Sequence, residues 1–232
     1  MARLFLFAKY LLAILVVVIL GLVATLAYCD IKHFQPTLKN YNLQVAMPKS
    51  LPKLLDAEEG HRLPYSVAKI LLDDADLRRN PIIGYVWGYY VALHLTKSEQ
   101  HAVIAARAYL GHRIFGFEQG AAHFYNKSLL DITPTEAALL VARLRSPSHA
   151  AKYPEKNKER AEDLLSRAGY SVHYTMETYG HRFIEALELS GVEYKFELQE
   201  DGRWMVWTQE DSQAVERILK KLESEVVVKL PK

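Results

Sequence analysis

A single cysteine, Cys29, stands among the 232 residues, so no disulfide can close within the chain and cysteine usage says nothing of redox compartment. Charge of one sign is also scarce. The 29 basic and 27 acidic side chains leave a formal net charge of +2, without the concentrated basic face that a nucleic-acid partner requires. There is no G-x-S-x-G elbow and no glycine-rich phosphate loop, which removes the serine-hydrolase and nucleotide-cradling classes. No zinc-ligand spacing occurs. His94, His101 and His112 are irregularly spaced, and Glu99 near His101 does not form a metalloprotease pattern, so no metal site is expected. Internal repeats and low-complexity tracts are missing too.

What the chain does have is hydrophobicity, half of its residues, with much of it at one end. The run LLAILVVVILGLVATLAYC, Leu11 to Cys29, carries no charge and follows Arg3 and Lys9. About 20 apolar residues match a bilayer core crossed by a helix. A cleaved signal would have an apolar region of only about 7–15 residues and a small-residue cleavage site. Tyr28-Cys29-Asp30 makes a poor one, and bulky Tyr28 spoils the approximation of Leu26-Ala27-Tyr28-Cys29 to a lipoprotein acylation box. The expectation is an uncleaved transmembrane anchor, with residues 1–29 as lead and span. Lys32, Lys39 and Lys49 follow the span, so charge counting does not favour a cytoplasmic N-terminus. The short basic lead resembles an export signal, and export of the bulk of the chain is the expected orientation.

Residues 30–53, with Pro36, Pro48 and Pro52 and no sustained period, read as a stalk. A helix is expected over 63–77, with Pro64 near its start and apolar residues at 67, 68, 70, 71 and 72, broken by Asn80-Pro81. Residues 85–95 fit a helix and a buried strand equally. Residues 98–110 read as a helix capped by Gly111, and 116–125 as another ended near Asn126. Thr133-Pro-Thr-Glu136 carries a capping box with proline at the first helical position, opening a helix that runs apolar to Leu144 and stops at Pro147. A charged helix over 155–167 closes at Gly169. Beyond it, 192–198 and 203–208 alternate as strands around a Glu200-Asp201-Gly202 turn, Asp211 caps a helix through Leu222, and VVVKL fits a last strand. The expected architecture is mainly α: an anchor, a stalk, a helical domain over 54–168 and a small α+β region over 169–232.

The stretch TKSEQHAVIAARAYLGHRIFGFEQGAAHFYNKSLLDITPTEAALLVARLRSPS, from Thr96 to Ser148, resembles the transglycosylase domain of penicillin-binding proteins, glycosyltransferase family 51. It aligns without a gap on S-K-E-E-I-L-E-x-Y-L-N-R-I-Y-F-G-x-G-A-Y-G-I-E-A-A-A-x-x-Y-F-G-K-S followed by D-L-T-L-x-E-A-A-L-L-A. Lys97, Glu99, Arg107, Tyr109, Gly111, Gly116, Glu118, Ala121, Tyr125, Lys127, Ser128, Asp131, Thr133 and the run from Glu136 to Leu140 fall in register. Asn157-Lys-Glu-Arg-Ala161 is similar to N-P-E-R-A, and an anchor directly before the domain is a further shared feature. The resemblance implies a lysozyme-like helical fold, polymerisation of lipid II, and a single-pass place in the bacterial inner membrane with most of the chain on the periplasmic side.

The family's chemistry does not carry over residue by residue. Its general base, the first glutamate of E-D-x-x-F-x-x-H-x-G, must take a proton from the attacking sugar hydroxyl. Cations and a divalent metal must offset the departing pyrophosphate. In the alignment that matches Asp76 and Gly84, Ala75 occupies the position of the base, and no histidine lies between 76 and 84. The second glutamate, in I-L-E-x-Y-L-N, falls on Ala102, and the asparagine on Ala106. The G-x-S-T-I-T-Q-Q segment has no room between Gly84 and Thr96, and the later R-R pair falls near Leu164-Leu165. Asp73, Asp74 or Glu58-Glu59 enters the role only under shifted alignments.

The resemblance therefore implies a degenerate member, a non-catalytic binding or scaffolding module whose partner is lipid II or a cell-wall synthesis protein. Two other readings stay open: an active glycosyltransferase with relocated acids, which would need a divalent metal such as Mg, and a structural adaptor binding through its C-terminal region. Catalytic candidates are Asp74, Asp76 and Glu118; Lys97, Arg107 and Lys127 are candidates for substrate binding. Trp204 and Trp207 face opposite ways on their strand, where packing competes with sugar stacking.

Overall fold

The computed structural model describes residues 2–75, 77, 81–199, 202–209 and 212–227, with the side chains of 2–8, 11–13, 22, 26, 29, 31, 81, 82, 174–179, 212–214 and 223–227 left out. α1 (Ala2–Cys29) runs through a π-helical turn (Asp30–Phe34) into the short α2 (Gln35–Leu38). Among the described residues no helix is long and apolar enough to cross a membrane, so the span expected over Leu11–Cys29 gains no support there. The segment expected to be a free stalk is packed instead. Phe34 is fully buried, held edge-on between Trp87 and Tyr90 at centroid distances of 5.3 and 5.1 Å, and Leu38, Tyr41, Leu43 and Met47 pack against the same core.

α3 (Ser50–Glu59), α4 (Leu63–Asp74), α5 (Pro81–His94), α6 (Lys97–Arg107), α7 (Phe117–Tyr125), α8 (Pro134–Arg143), α9 (Pro147–Lys152) and α10 (Pro154–Arg167) form the helical domain. α8 is its centre, packing against α3, α7, α9 and α10. Ala137, Ala138, Leu140, Val141 and Ala142 of α8 are all buried. The expected capping box is present: Glu136 N donates to Thr133 Oγ1 at 3.2 Å and Thr133 N to Glu136 Oε2 at 2.7 Å. A second box, Thr96 with Glu99, opens α6. α10 shows Asn157, Ala161, Leu164 and Leu165 to the core, one stripe at helical spacing. The segment 85–95 is helical, packing Trp87 and Val91 inward against α4.

α6 ends earlier than expected. Ala108 turns extended, and β1 (Tyr109–Gly111) pairs with β2 (Ile114–Phe115), so Gly111 belongs to a hairpin and not to a helix cap. Its two turn residues, His112 and Arg113, both adopt positive φ (52° and 62°). Gly116 follows at φ 81°, where a Cβ would stand 2.5 Å from the carbonyl oxygen of Ala106. Only glycine fits that turn into α7.

The C-terminal unit is a three-stranded antiparallel sheet, order β3 (Tyr170–Met176), β5 (Arg203–Gln209), β4 (Tyr194–Leu198), with α11 (Glu177–Leu189) and α12 (Ser212–Val227) packed on each other. Its core joins Phe183, Leu187, Trp204, Val206 and Val215. β3 and α11 were not anticipated. The β4–β5 turn closes through Gln199 and Arg203, with Gly202 at φ 77°; Glu200, Asp201 and Asp211 lie outside the described residues. Val226 and Val227 continue α12, which corrects the last strand expected at VVVKL; the remainder of that run also lies outside. Trp207 Nε1 donates to Thr135 Oγ1 at 2.8 Å and Lys127 bridges Glu136 and Glu197, fastening the unit to the start of α8.

Candidate functional site

A cleft of about 400 Å³ opens between α3, α4, the end of α6 and the segment after α8. Glu58 and Glu59 from the last turn of α3 line it, with Arg62, Tyr65 and Ser66, Lys69, Tyr109 and Arg145. Helical spacing on α4 brings Tyr65, Ser66, Lys69 and Ile70 to this one side, leaving Val67, Ala68 and Leu71 for the core. Glu58 is the most deeply set acid, its side chain 4% exposed. Arg160 bonds its Oε1, and Arg167 Nη2 stands 3.8 Å from Oε2, an oxygen with no hydrogen-bond partner. Glu59 Oε2 accepts from the Ser66 hydroxyl at 2.7 Å. Lys69 lies over the Tyr65 ring, 5.2 Å from its centroid. The cleft is thus a carboxylate pair rimmed by cations, able to accept from a ligand hydroxyl and to face an anionic group.

Asp73, Asp74 and Glu118, also singled out in the sequence, do not line this cleft. Asp74, in the last turn of α4, takes Arg107 Nη2 at 2.7 Å and Nε at 3.3 Å, and the Tyr41 hydroxyl as well. Burial alone would raise its carboxyl, but the bonds from Arg107 and Tyr41 and the charge of Arg107 outweigh it and hold the group below the ordinary range. A carboxylate so engaged is a poor proton acceptor. Ala75 caps α4 half-buried, and Ala102 is fully buried in the core. Asp73 is exposed on α4, and Asp76 lies outside the described residues. Glu118 is exposed in the first turn of α7, where an acid suits the helix dipole.

The three cations expected to bind substrate do not converge. Lys97 pairs with Asp56 at 2.8 Å, Arg107 with Asp74, and Lys127 with Glu136 and Glu197 at 2.9 and 2.7 Å. His101 Nε2 sits 2.9 Å from Asp56, and burial lowers the imidazole below its usual value despite that carboxylate. Among the described residues no group of three or more His, Cys, Asp or Glu could hold a metal ion. Trp204 and Trp207 do face opposite ways, and both are buried: Trp204 stacks on Phe196 at 4.9 Å, Trp207 reaches Thr135. Packing accounts for both. Arg62, which lines the cleft with Arg145, and Arg160 and Arg167, which face Glu58, are not among the expected substrate-binding cations. Arg160 carried a signal, since it stands in the N-P-E-R-A-like stretch; Arg62 and Arg167 carried none.

Residues 78–169 match the family model described as transglycosylase. The match starts just past Ala75, so it leaves out α3 and α4 with Glu58, Glu59, Asp73 and Asp74. Penicillin-binding protein 1F of Bacillus subtilis (strain 168) is 36% identical over 59 residues, which is 25% of this chain and 8% of that protein. The similarity therefore spans a small part of the relative's length.

Proposed function

Taking residues 78–169 as a transglycosylase-family domain, we propose that the protein is a membrane-anchored module of peptidoglycan assembly that binds lipid II or a cell-wall synthesis protein without turnover. One observation carries the non-catalytic reading. Asp74, one of the two acids flanking the aligned position of the base, is engaged by Arg107 and Tyr41, while the two aligned glutamate positions are alanines. The anchor is α1. That reading rests on the uncharged run from Leu11 to Cys29 in the sequence. Ile14, Leu15, Val16, Val17, Val18, Ile19 and Leu20 all stand exposed on it, as a lipid-facing helix requires. Export of the remaining domain follows from the short basic lead.

A second reading, an active transferase, is favoured by Glu58. This buried carboxylate lines the cleft with Oε2 free of hydrogen bonds, and it serves as base only where Arg160 and Arg167 draw back from it; a divalent metal such as Mg would belong to this reading alone. Full-length protein in vesicles given labelled lipid II separates the two. Binding without chain growth is the expected result. Growth that survives Asp74→Ala but is lost in Glu58→Gln would establish the second reading. Absence of both binding and growth would remove lipid II as ligand.

A further inference from the structure

β4 is an edge strand. In the order β3-β5-β4 it pairs with β5 on one side, and among the described residues no strand pairs with the other side. The ladder shows which backbone groups stand open. Gln199 N donates to Arg203 O at 2.8 Å and Gln209 N to Glu193 O at 3.1 Å. Odd positions from 193 to 199 therefore turn their amides and carbonyls towards β5, while Tyr194, Phe196 and Leu198 turn theirs outward. The same three residues send their side chains to one face, as strand alternation requires. Phe196 is 44% exposed and Leu198 54%, with Phe196 stacked on Trp204.

Exposed edges are ordinarily guarded by prolines, bulges or free charges. β4 lacks these guards. No proline stands between Glu193 and Gln199, and the register with β5 is regular. Its two charges lie on the opposite face and are already engaged. Lys195 donates to the carbonyls of Asp131 and Ile132, and Glu197 pairs with Lys127.

The edge is complementary to itself. Tyr-Lys-Phe-Glu-Leu, laid antiparallel on a second copy about Phe196, sets Tyr194 opposite Leu198, Phe196 opposite Phe196 and Lys195 opposite Glu197. Residues with outward amides then meet one another, so both strands bond at 194, 196 and 198. Opposite charges lie across the seam, a favourable cross-strand pair. Sliding the register by two residues either way sets Lys195 against Lys195 or Glu197 against Glu197, and like charges directly opposed are unfavourable.

We propose that β4 is a homotypic docking edge, across which two copies of this chain join their sheets into one antiparallel sheet about a two-fold axis at Phe196. A pairing of this kind closes on itself and leaves no copy of the edge free for further growth. It lies outside residues 78–169 and does not depend on what the cleft binds.

The test uses the full chain in mild detergent, in a Cys29→Ser background. Phe196→Cys brings two thiols opposite each other, with Cα atoms about 5.5 Å apart, inside the roughly 4.4–6.8 Å that a disulfide spans. Oxidation should link Phe196→Cys into a dimer, with severalfold less product from Lys195→Cys or Glu197→Cys. Sedimentation should show a dimer of the unsubstituted chain. Because position 196 faces its own copy, Phe196→Lys and Phe196→Glu should each raise the dimer dissociation constant severalfold, and an equimolar mixture of the two should lower it again. An unsubstituted chain that stays monomeric, with no link at 196, overturns the proposal. Linking at 195 or 197 equal to that at 196 also overturns it, since the register is then another one. A dimer that forms without linking at 196 is held by a different face, and overturns it too. Near-UV circular dichroism checks that the lysine and glutamate variants fold; where they do not, the cysteine series alone decides.

Discussion

Arg107 grips Asp74 with two guanidinium nitrogens, at 2.7 and 3.3 Å, joining the end of α6 to the end of α4 across 33 residues of sequence. The family resemblance makes the arginine a candidate for substrate, and a shifted alignment makes the aspartate one for chemistry. Each satisfies the other, with Tyr41 as the third member.

The first prediction concerns this pair and pH. Because the folded-state carboxyl of Asp74 is depressed, the unfolded chain binds more protons over the acid range. The stabilisation is present above the ordinary aspartate value and is lost as pH falls through the folded one. Arg107→Ala should cost about 1 kcal/mol at pH 7, a modest figure because the arginine is half exposed. Urea melts from pH 7 to pH 2.5 should show the gap between wild type and variant narrowing below about pH 4. A gap constant with pH would mean that the pair contributes through packing alone.

Glu58 should behave as a buried charge with partners. Glu58→Ala leaves Arg160 and Arg167 facing a hole and should cost about 3 kcal/mol in chemical denaturation. The double variant Glu58→Leu/Arg160→Leu should recover most of that loss, since it removes the uncompensated charge together with its partner. Additive losses would show that the two side chains are not coupled.

Two capping boxes support two helices that share no capping partner. Thr96→Ala and Thr133→Ala should each cost about 1 kcal/mol, and the double variant should cost the sum, as for independent sites. Thermal melts of the three variants check this, and a double variant no worse than either single one would contradict it.

The β1–β2 turn holds two non-glycine residues at positive φ. His112→Asn/Arg113→Gly supplies the pair that such a two-residue hairpin prefers and should stabilise by roughly 0.5–1 kcal/mol. In contrast Gly116→Ala, with its Cβ against the Ala106 carbonyl, should destabilise clearly. Both are read by the shift in midpoint temperature, and a loss of stability in the first variant would contradict the strain argument.

The elements legible in advance are those whose signals are local. α8 declared itself through Thr133, Pro134 and Glu136, and α6 held the same signature at Thr96 and Glu99. The β4–β5 hairpin was visible in its alternation and glycine. β3 was legible in principle, since Tyr170, Val172, Tyr174 and Met176 alternate. α11 was not: Gly180 sits inside it at a cost to helix propensity, and its reason is Trp204, whose ring would lie 2.7 Å from any Cβ there. The extended start of β1 and the burial of Phe34 depend likewise on partners distant in sequence.

The sequence by itself determined the uncharged N-terminal run, the helices with caps and the likeness of residues 78–169 to a transglycosylase domain, because caps, periodicity and motif spacing act within a few turns of chain. It also determined that alanine stands at the two aligned glutamate positions. Tertiary structure alone decided which charges meet. Asp56 pairs with Lys97 across 41 residues, Asp74 with Arg107 across 33, and Glu58 with Arg160 across 102. Ion pairing follows distance in space, and only helix packing sets that distance. Packing thus tied Asp74 to Arg107 and set Glu58 deep in the cleft beside Arg160.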